Sequence, residues 1–199
     1  MSFSQVFLDE SRSILAAIDP NELDVLADRL AQVRTGAGRL FILGVGGSAG
    51  HASHAVNDFR KLCGIEAYAP TDNVSELTAR TNDEGWDTTF RAWLEVSNLS
   101  SKDAILVFSV GGGGMDASVS GNIVRAVELA GEVGAAVLGI VGRDGGYTAK
   151  HGDSVIVIPP LYPDRVTPHT EGLCAVLWHL LVSHPALKSA PTKWESLGV

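Results

Sequence analysis

The most constraining feature of this chain is an alternation. Four short apolar runs, Leu40–Leu43, Ala104–Phe108, Ala136–Val141 and Val155–Ile158, carry almost no polar residue, and Ile65–Ala69 is a weaker fifth. Helical stretches are interleaved with them, over Ala49–Leu62, Val119–Glu132 and Glu171–Val182. A strand that is apolar on both faces is covered on both sides, and strands separated by helices must run parallel. The pattern therefore predicts an α/β fold, one parallel sheet of about five strands flanked by helices. Ahead of it, Val6, Ile14, Leu15 and Ile18 form one helical apolar face. Leu23, Val25, Leu26, Leu30 and Val33 form a second, with Asp19-Pro20-Asn21 between them. This predicts an N-terminal helical hairpin over residues 1–36, an α/β core over 37–184 and a tail over 185–199 that contains Pro191 and Trp194.

A chain of 199 residues suits a single domain with a substantial core. Its net charge of −8, with no local basic patch, argues against a nucleic-acid partner. No apolar run is long enough to span a membrane, and Asp9 and Glu10 stand where a signal peptide would be basic. Cys63 and Cys174 form no CxxC pair, which predicts two reduced thiols in a cytoplasmic protein.

Two strand ends carry glycine loops. Leu43 runs into Gly44-Val45-Gly46-Gly47-Ser48 and then a helix. Such a turn lets backbone N–H groups approach an anion at the helix start, or it serves only as a tight connection. It is not a dinucleotide fingerprint, because Ala49 stands at the last glycine position, and no Walker lysine follows. The second loop is Ser109-Val110 followed by Gly111, Gly112, Gly113 and Gly114, with Ser118 and Ser120 before the next helix. Two glycine–serine loops in one sheet favour an anion site more than either does alone. His51, His54 and Asp58 fall at i, i+3 and i+7, on one helix face able to bind metal or move protons, or simply to meet solvent. Glu171 and His179 lie eight apart on the last helix, also within one face.

Gly44-x-Gly46-Gly47-Ser48 followed by Ala52-Ser53-His54 resembles the Gly-Asn-Gly-Gly-Ser…Ala-x-His stretch of the phosphoheptose isomerases, which are sugar isomerase (SIS) domain enzymes. Asn82-Asp83 with Trp86 and Phe90 is similar to the family's Gly-Asn-Asp segment, and Gly142-Arg143-Asp144-Gly145-Gly146 to its Gly-Lys-Asp-Gly-Gly turn. The order of these motifs covers nearly the whole chain. The resemblance implies a single SIS domain that converts sedoheptulose 7-phosphate to D-glycero-D-manno-heptose 7-phosphate through an enediol. It implies a zinc ion held by His54, Asp58, Glu171 and His179, with proton transfer by Asp58 and His179. It also implies substrate binding by Gly46, Gly47, Ser48, Asp83, Ser109, Gly111, Gly112, Ser118, Ser120 and Glu171, in a homotetramer with sites between subunits.

The chain departs from the family pattern. Asp58 replaces a Glu and Glu171 a Gln, Val45 an Asn, Leu62 an Arg, and four glycines a Ser/Thr-rich phosphate loop. The alternatives are a non-catalytic SIS module and an isomerase of another sugar phosphate.

Overall fold

A computed structural model describes residues 1–114 and 119–197. Two helices open the chain, α1 (Phe3–Ala16) and α2 (Pro20–Thr35). Ser2 caps α1 by accepting from the Gln5 N–H at 3.2 Å. Asp19 caps α2 in the same way, and Pro20 fills the first helical position, where no N–H is needed. Leu23, Leu26, Leu30 and Val33 recur at helical spacing and bury the inner face of α2.

The sheet comprises β1 (Leu40–Leu43), β2 (Ala67–Tyr68), β3 (Ala104–Ser109), β4 (Ala136–Val141) and β5 (Ser154–Val157). All pairings are parallel, in the order β2-β1-β3-β4-β5. Leu40 is level with Ala104, which is level with Ala136. Alternate residues point to opposite faces. Leu40, Ile42, Leu106, Phe108, Leu138 and Ile140 pack on one side with α2, α3 (Gly47–Cys63) and α8 (Val166–Ser183). Phe41, Leu43, Ile105, Val107, Val137 and Val141 pack on the other with α5 (Thr89–Val96) and α6 (Gly121–Val133). Burial on both faces is why these strands lack polar alternation.

The sequence pattern did not indicate α4 (Val74–Asp83) or α5, between β2 and β3. No residue of α4 is buried, so it has no apolar stripe to detect. It is held instead by its Asn73 cap and by Arg80, which pairs with Glu76 at 2.9 Å and Glu84 at 3.3 Å. The short helix α7 (Gly146–His151) completes the set.

Polar anchors tie the outer pieces down. Asp103, nearly fully buried, accepts from the Arg39 N–H at 2.8 Å, the Arg39 guanidinium at 2.8 Å and the Ser100 N–H at 2.9 Å. It thereby joins the starts of β1 and β3. Burial pushes its carboxyl up, and these hydrogen bonds outweigh that, so the group stays below its ordinary range. Arg34 on α2 donates to the carbonyls of Cys63, Ala186 and Leu187 and pins the start of the tail to its own chain. Glu10 on α1 accepts from Arg165 at 2.6 and 2.7 Å and pairs with His169 at 2.9 Å, which fastens α1 to the start of α8. Cys63 and Cys174 are buried free thiols, and burial raises them to about 11 and about 12. Among the described residues, no helix is long and apolar enough to cross a membrane.

Candidate active site

In a parallel sheet of this order, β1 is followed by chain that leaves in one direction to β2 and later in the other to β3. The C-terminal ends of β1 and β3 are therefore a switch point, where ligands of such sheets bind. A cavity of about 430 Å³ opens there. The β1–α3 turn contributes Val45 and Ser48, and the loop after β3 contributes Ser109, Gly111, Gly113, Gly114 and Ser120. The turn after β4 contributes Arg143 and Asp144, and the first turns of α8 contribute Glu171.

The expected substrate-binding residues divide. Ser48, Ser109, Gly111, Ser120 and Glu171 line the cavity. Gly46 caps α3, and Gly47 opens it while making room for a side chain, since a Cβ there would lie 2.8–3.0 Å from the Glu171 carboxyl atoms. Gly112 is not on the wall. Its φ of +67° and the 1.9 Å that would separate a Cβ from the Gly145 carbonyl show that it docks the loop onto the turn before α7. Thr148 seals that contact by donating to the Gly112 carbonyl from both Oγ1 and N, at 2.7 and 2.9 Å. The Ser109 hydroxyl accepts from the Gly112 N–H at 3.0 Å, so it braces the same loop while facing the cavity. Asp83 lies away from the cavity, at the exposed end of α4, where it accepts from Asn82 at 2.8 Å. It ends the helix that the sequence pattern left unseen. Ser118 lies outside the described residues.

Arg143, like its neighbour Asp144, is a charged cavity residue that sequence reasoning missed. It has a φ of +52°, uncommon for a residue with a long side chain. Its Cδ stands 4.0 Å from the position a Cβ on Gly111 would take. The signal was present in the Gly142–Gly146 turn, but nothing in the spacing shows that an arginine after β4 leans over the end of β3.

A second cluster sits further along α3 and α8, which pack side by side. His54 Nε2 and His179 Nε2 lie 3.7 and 3.8 Å from Asp58 Oδ2, and the three donor atoms fall within 4.8 Å of one another. Both histidines are about half exposed, although His179 falls in an apolar run, because α8 also leaves Val176 and Leu180 on its outer face. His179 Nδ1 lies 2.7 Å from the Ala175 carbonyl. That bond places the proton on Nδ1 and leaves Nε2 as a ligand. The buried Trp178 ring stacks on His179 and meets His54 edge-on, forming the floor. Two imidazoles and one carboxylate at this spacing suit zinc with one coordination position open. His51 does not join them, and its Nδ1 is buried without a partner among the described residues.

Glu171 does not complete this set. It shares a face of α8 with His179, but eight residues at 1.5 Å each put it about 12 Å along the axis, beside Gly47 at the start of α3. Within one chain, three of the four expected ligands come together, and Glu171 lines the cavity.

A parallel sheet of order 2-1-3-4-5 with a glycine- and serine-lined cavity at its switch point defines the class as a doubly wound α/β protein. No protein-family model matches the chain. It is 33% identical over 162 residues to the phosphoheptose isomerase of Trichlorobacter lovleyi, covering 78% of this chain and 76% of that one. It is also 33% identical over 188 residues to the lincomycin biosynthesis protein LmbN of Streptomyces lincolnensis, covering 89% of this chain and 66% of that protein. The solved phosphoheptose isomerase GmhA from Neisseria gonorrhoeae shares the fold, with a TM-score of 0.77 at 24% identity over 90% of this chain and 96% of that one. The chain belongs to the phosphoheptose isomerase family and is a sugar-phosphate isomerase.

Proposed function

We propose that this protein interconverts sedoheptulose 7-phosphate and D-glycero-D-manno-heptose 7-phosphate. The observation that supports this reading is the two-ended cavity. Arg143, Ser120 and the glycine backbone surround one part of it, and Ser48 and Glu171 another. A guanidinium fork, a hydroxyl and free N–H groups suit a phosphate dianion. The glycine loop lacks the hydroxyls of the family pattern, and Arg143 supplies the charge-assisted contacts in their place. Ser48 and Glu171 then meet the carbonyl end of an open-chain sugar.

His54, Asp58 and His179 would hold a zinc ion. When bound, such an ion supplies a Lewis acid that polarises oxygens of the substrate. The three residues stand outside the cavity of their own chain. Asp58 and His179 therefore exchange protons with substrate only where a second copy of the chain sets them against its cavity. The homotetramer implied by the sequence resemblance would do this, and the exposed Val176 and Leu180 beside His179 offer the apolar surface for it. We place the activity in the cytoplasm, in keeping with the free buried thiols.

A second reading, an isomerase of a different sugar phosphate, is favoured by the glycine loop, by Arg143 and by the likeness to a lincomycin biosynthesis protein. One experiment separates the two. Proton and phosphorus NMR in deuterated water, with sedoheptulose 7-phosphate and then a panel of hexose and longer-chain ketose phosphates, reports which substrate gives an aldose carrying deuterium at C2. Turnover of the heptulose supports the first reading. Turnover of another ketose alone replaces it with the second.

A further inference from the structure

On the sugar-phosphate isomerase reading of this cavity, we infer that Asp87 determines where the phosphate sits: its carboxylate takes the start of α6, keeps the substrate anion from that helix end and leaves Arg143 to seat it. α6 runs for 13 residues, and its first N–H groups present positive potential. Ser120, the residue before it, lines the cavity, so this helix end opens beside the substrate. Ser120 has a left-handed backbone with a φ of +54°, and its side chain makes no capping hydrogen bond to the helix. Left to itself, the start of α6 would attract an anion. A carboxylate of the chain already stands there. A Cβ on Gly121 would lie 2.6–2.9 Å from the carboxyl atoms of Asp87. Asp87 therefore abuts the first residue of the helix, one Cα step of about 3.8 Å from Ser120, and glycine at 121 leaves room for it.

Asp87 is held in place by its own turn. It lies in the short turn Trp86–Thr88, where the Thr88 hydroxyl donates to the Gly85 carbonyl at 2.9 Å and the buried Thr89 hydroxyl to the Trp86 carbonyl at 2.8 Å. Arg125, one turn into α6, pairs with Glu128 at 2.9 Å rather than with Asp87. A phosphate dianion at the start of α6 would meet the like charge of Asp87 well within the Debye length, about 10 Å at ~0.1 M salt. On the turn after β4 it meets the Arg143 guanidinium instead. A single seat for the phosphate fixes the register in which the sugar chain lies along the cavity.

Calorimetric titration with inorganic phosphate compares wild type, Asp87→Asn, Arg143→Gln and the double variant, at low and at high salt, with a thermal melt of each protein. Asparagine has the shape of aspartate and suits a helix start equally well, so Asp87→Asn removes the charge alone. We expect Asp87→Asn to bind phosphate about three- to tenfold more tightly at low salt, with the gain shrinking at high salt. Arg143→Gln should weaken binding by about tenfold or more. Adding Asp87→Asn to it should recover part of that loss, because the start of α6 then accepts the anion. Phosphate affinity of Asp87→Asn equal to or below wild type overturns the assignment, whatever the melt shows, and makes Asp87 a structural support of α6. Undiminished binding by Arg143→Gln, or no binding by wild type, overturns it as well. Turnover of sedoheptulose 7-phosphate and other ketose phosphates, followed by deuterium entry at C2, is read on the same proteins. Phosphate affinities in the expected order without any turnover support the role of Asp87 and refute the proposed reaction.

Discussion

Gly47 and Arg143 show how single residues set the chemistry. A methyl group at Gly47 would press on the Glu171 carboxyl from 2.8–3.0 Å, so Gly47→Ala should push that carboxylate from its place. Misplacing a group that positions substrate by about 1 Å can cost up to about 100-fold in rate. We expect Gly47→Ala to lower kcat strongly while alanine, a better helix former, leaves the melting temperature unchanged or higher. Steady-state kinetics and a thermal melt read both. Arg143 holds a left-handed backbone, which costs a residue with a side chain about 1–2 kcal/mol. Arg143→Gly should therefore stabilise the protein by about 1 kcal/mol. It should also raise KM for the phosphorylated substrate by about tenfold or more through loss of a charge-assisted contact. A variant that gains stability without losing phosphate affinity would show that the strain has no part in binding. Neither residue's role was legible in the sequence. Each depends on a side chain or backbone from a distant part of the chain.

The pairing of α3 with α8 brings His54, Asp58 and His179 together. The spacing of His54 and Asp58 on one helix was enough to place them together. The meeting with His179 required the packing of two helices separated by most of the sheet. Zinc added to the wild-type protein should raise its melting temperature, because an ion bound only by the folded state shifts the equilibrium by mass action. His179→Ala should abolish that rise and weaken zinc binding in a calorimetric titration, while leaving phosphate binding in the cavity intact. The starts of β1 and β3 depend on a different polar centre. Asp103→Ala would strand the Arg39 and Ser100 donors, and we expect a loss of about 2–3 kcal/mol in denaturant unfolding. The polar residues between β2 and β3 illustrate the opposite case. The Asn73 cap and the Arg80 ion pairs hold α4, and they leave no apolar period for a sequence reading to find.

Across the whole molecule, the Glu10–Arg165–His169 cluster links the first helix to the last. Hydrogen bonds from Arg165, and then from His169, hold the Glu10 carboxyl at about 2, well below its ordinary 4.5. A carboxyl that is more acidic when folded contributes stability in full above about 4.5, and loses it as the pH falls from there towards about 2. Glu10→Gln should lower stability at neutral pH and flatten the acid limb over that window. Denaturant titrations of both proteins at several pH values would show it, and equal slopes would refute it. Determined by the sequence alone were the parallel sheet, the two glycine loops at strand ends, the two N-terminal helices and the His54–Asp58 pair. All of these follow from local periodicity and spacing, which fix how residues turn about their own axis. Only the tertiary structure decided that Arg143 enters the cavity, that Gly112 and Asp83 stand outside its wall, and that within one chain Glu171 lines the cavity while His179 joins His54 and Asp58. Spacing along a helix gives the face a residue shares. It does not give its height against a neighbouring helix, and that height is set by the packing of α8 on α3 and the sheet.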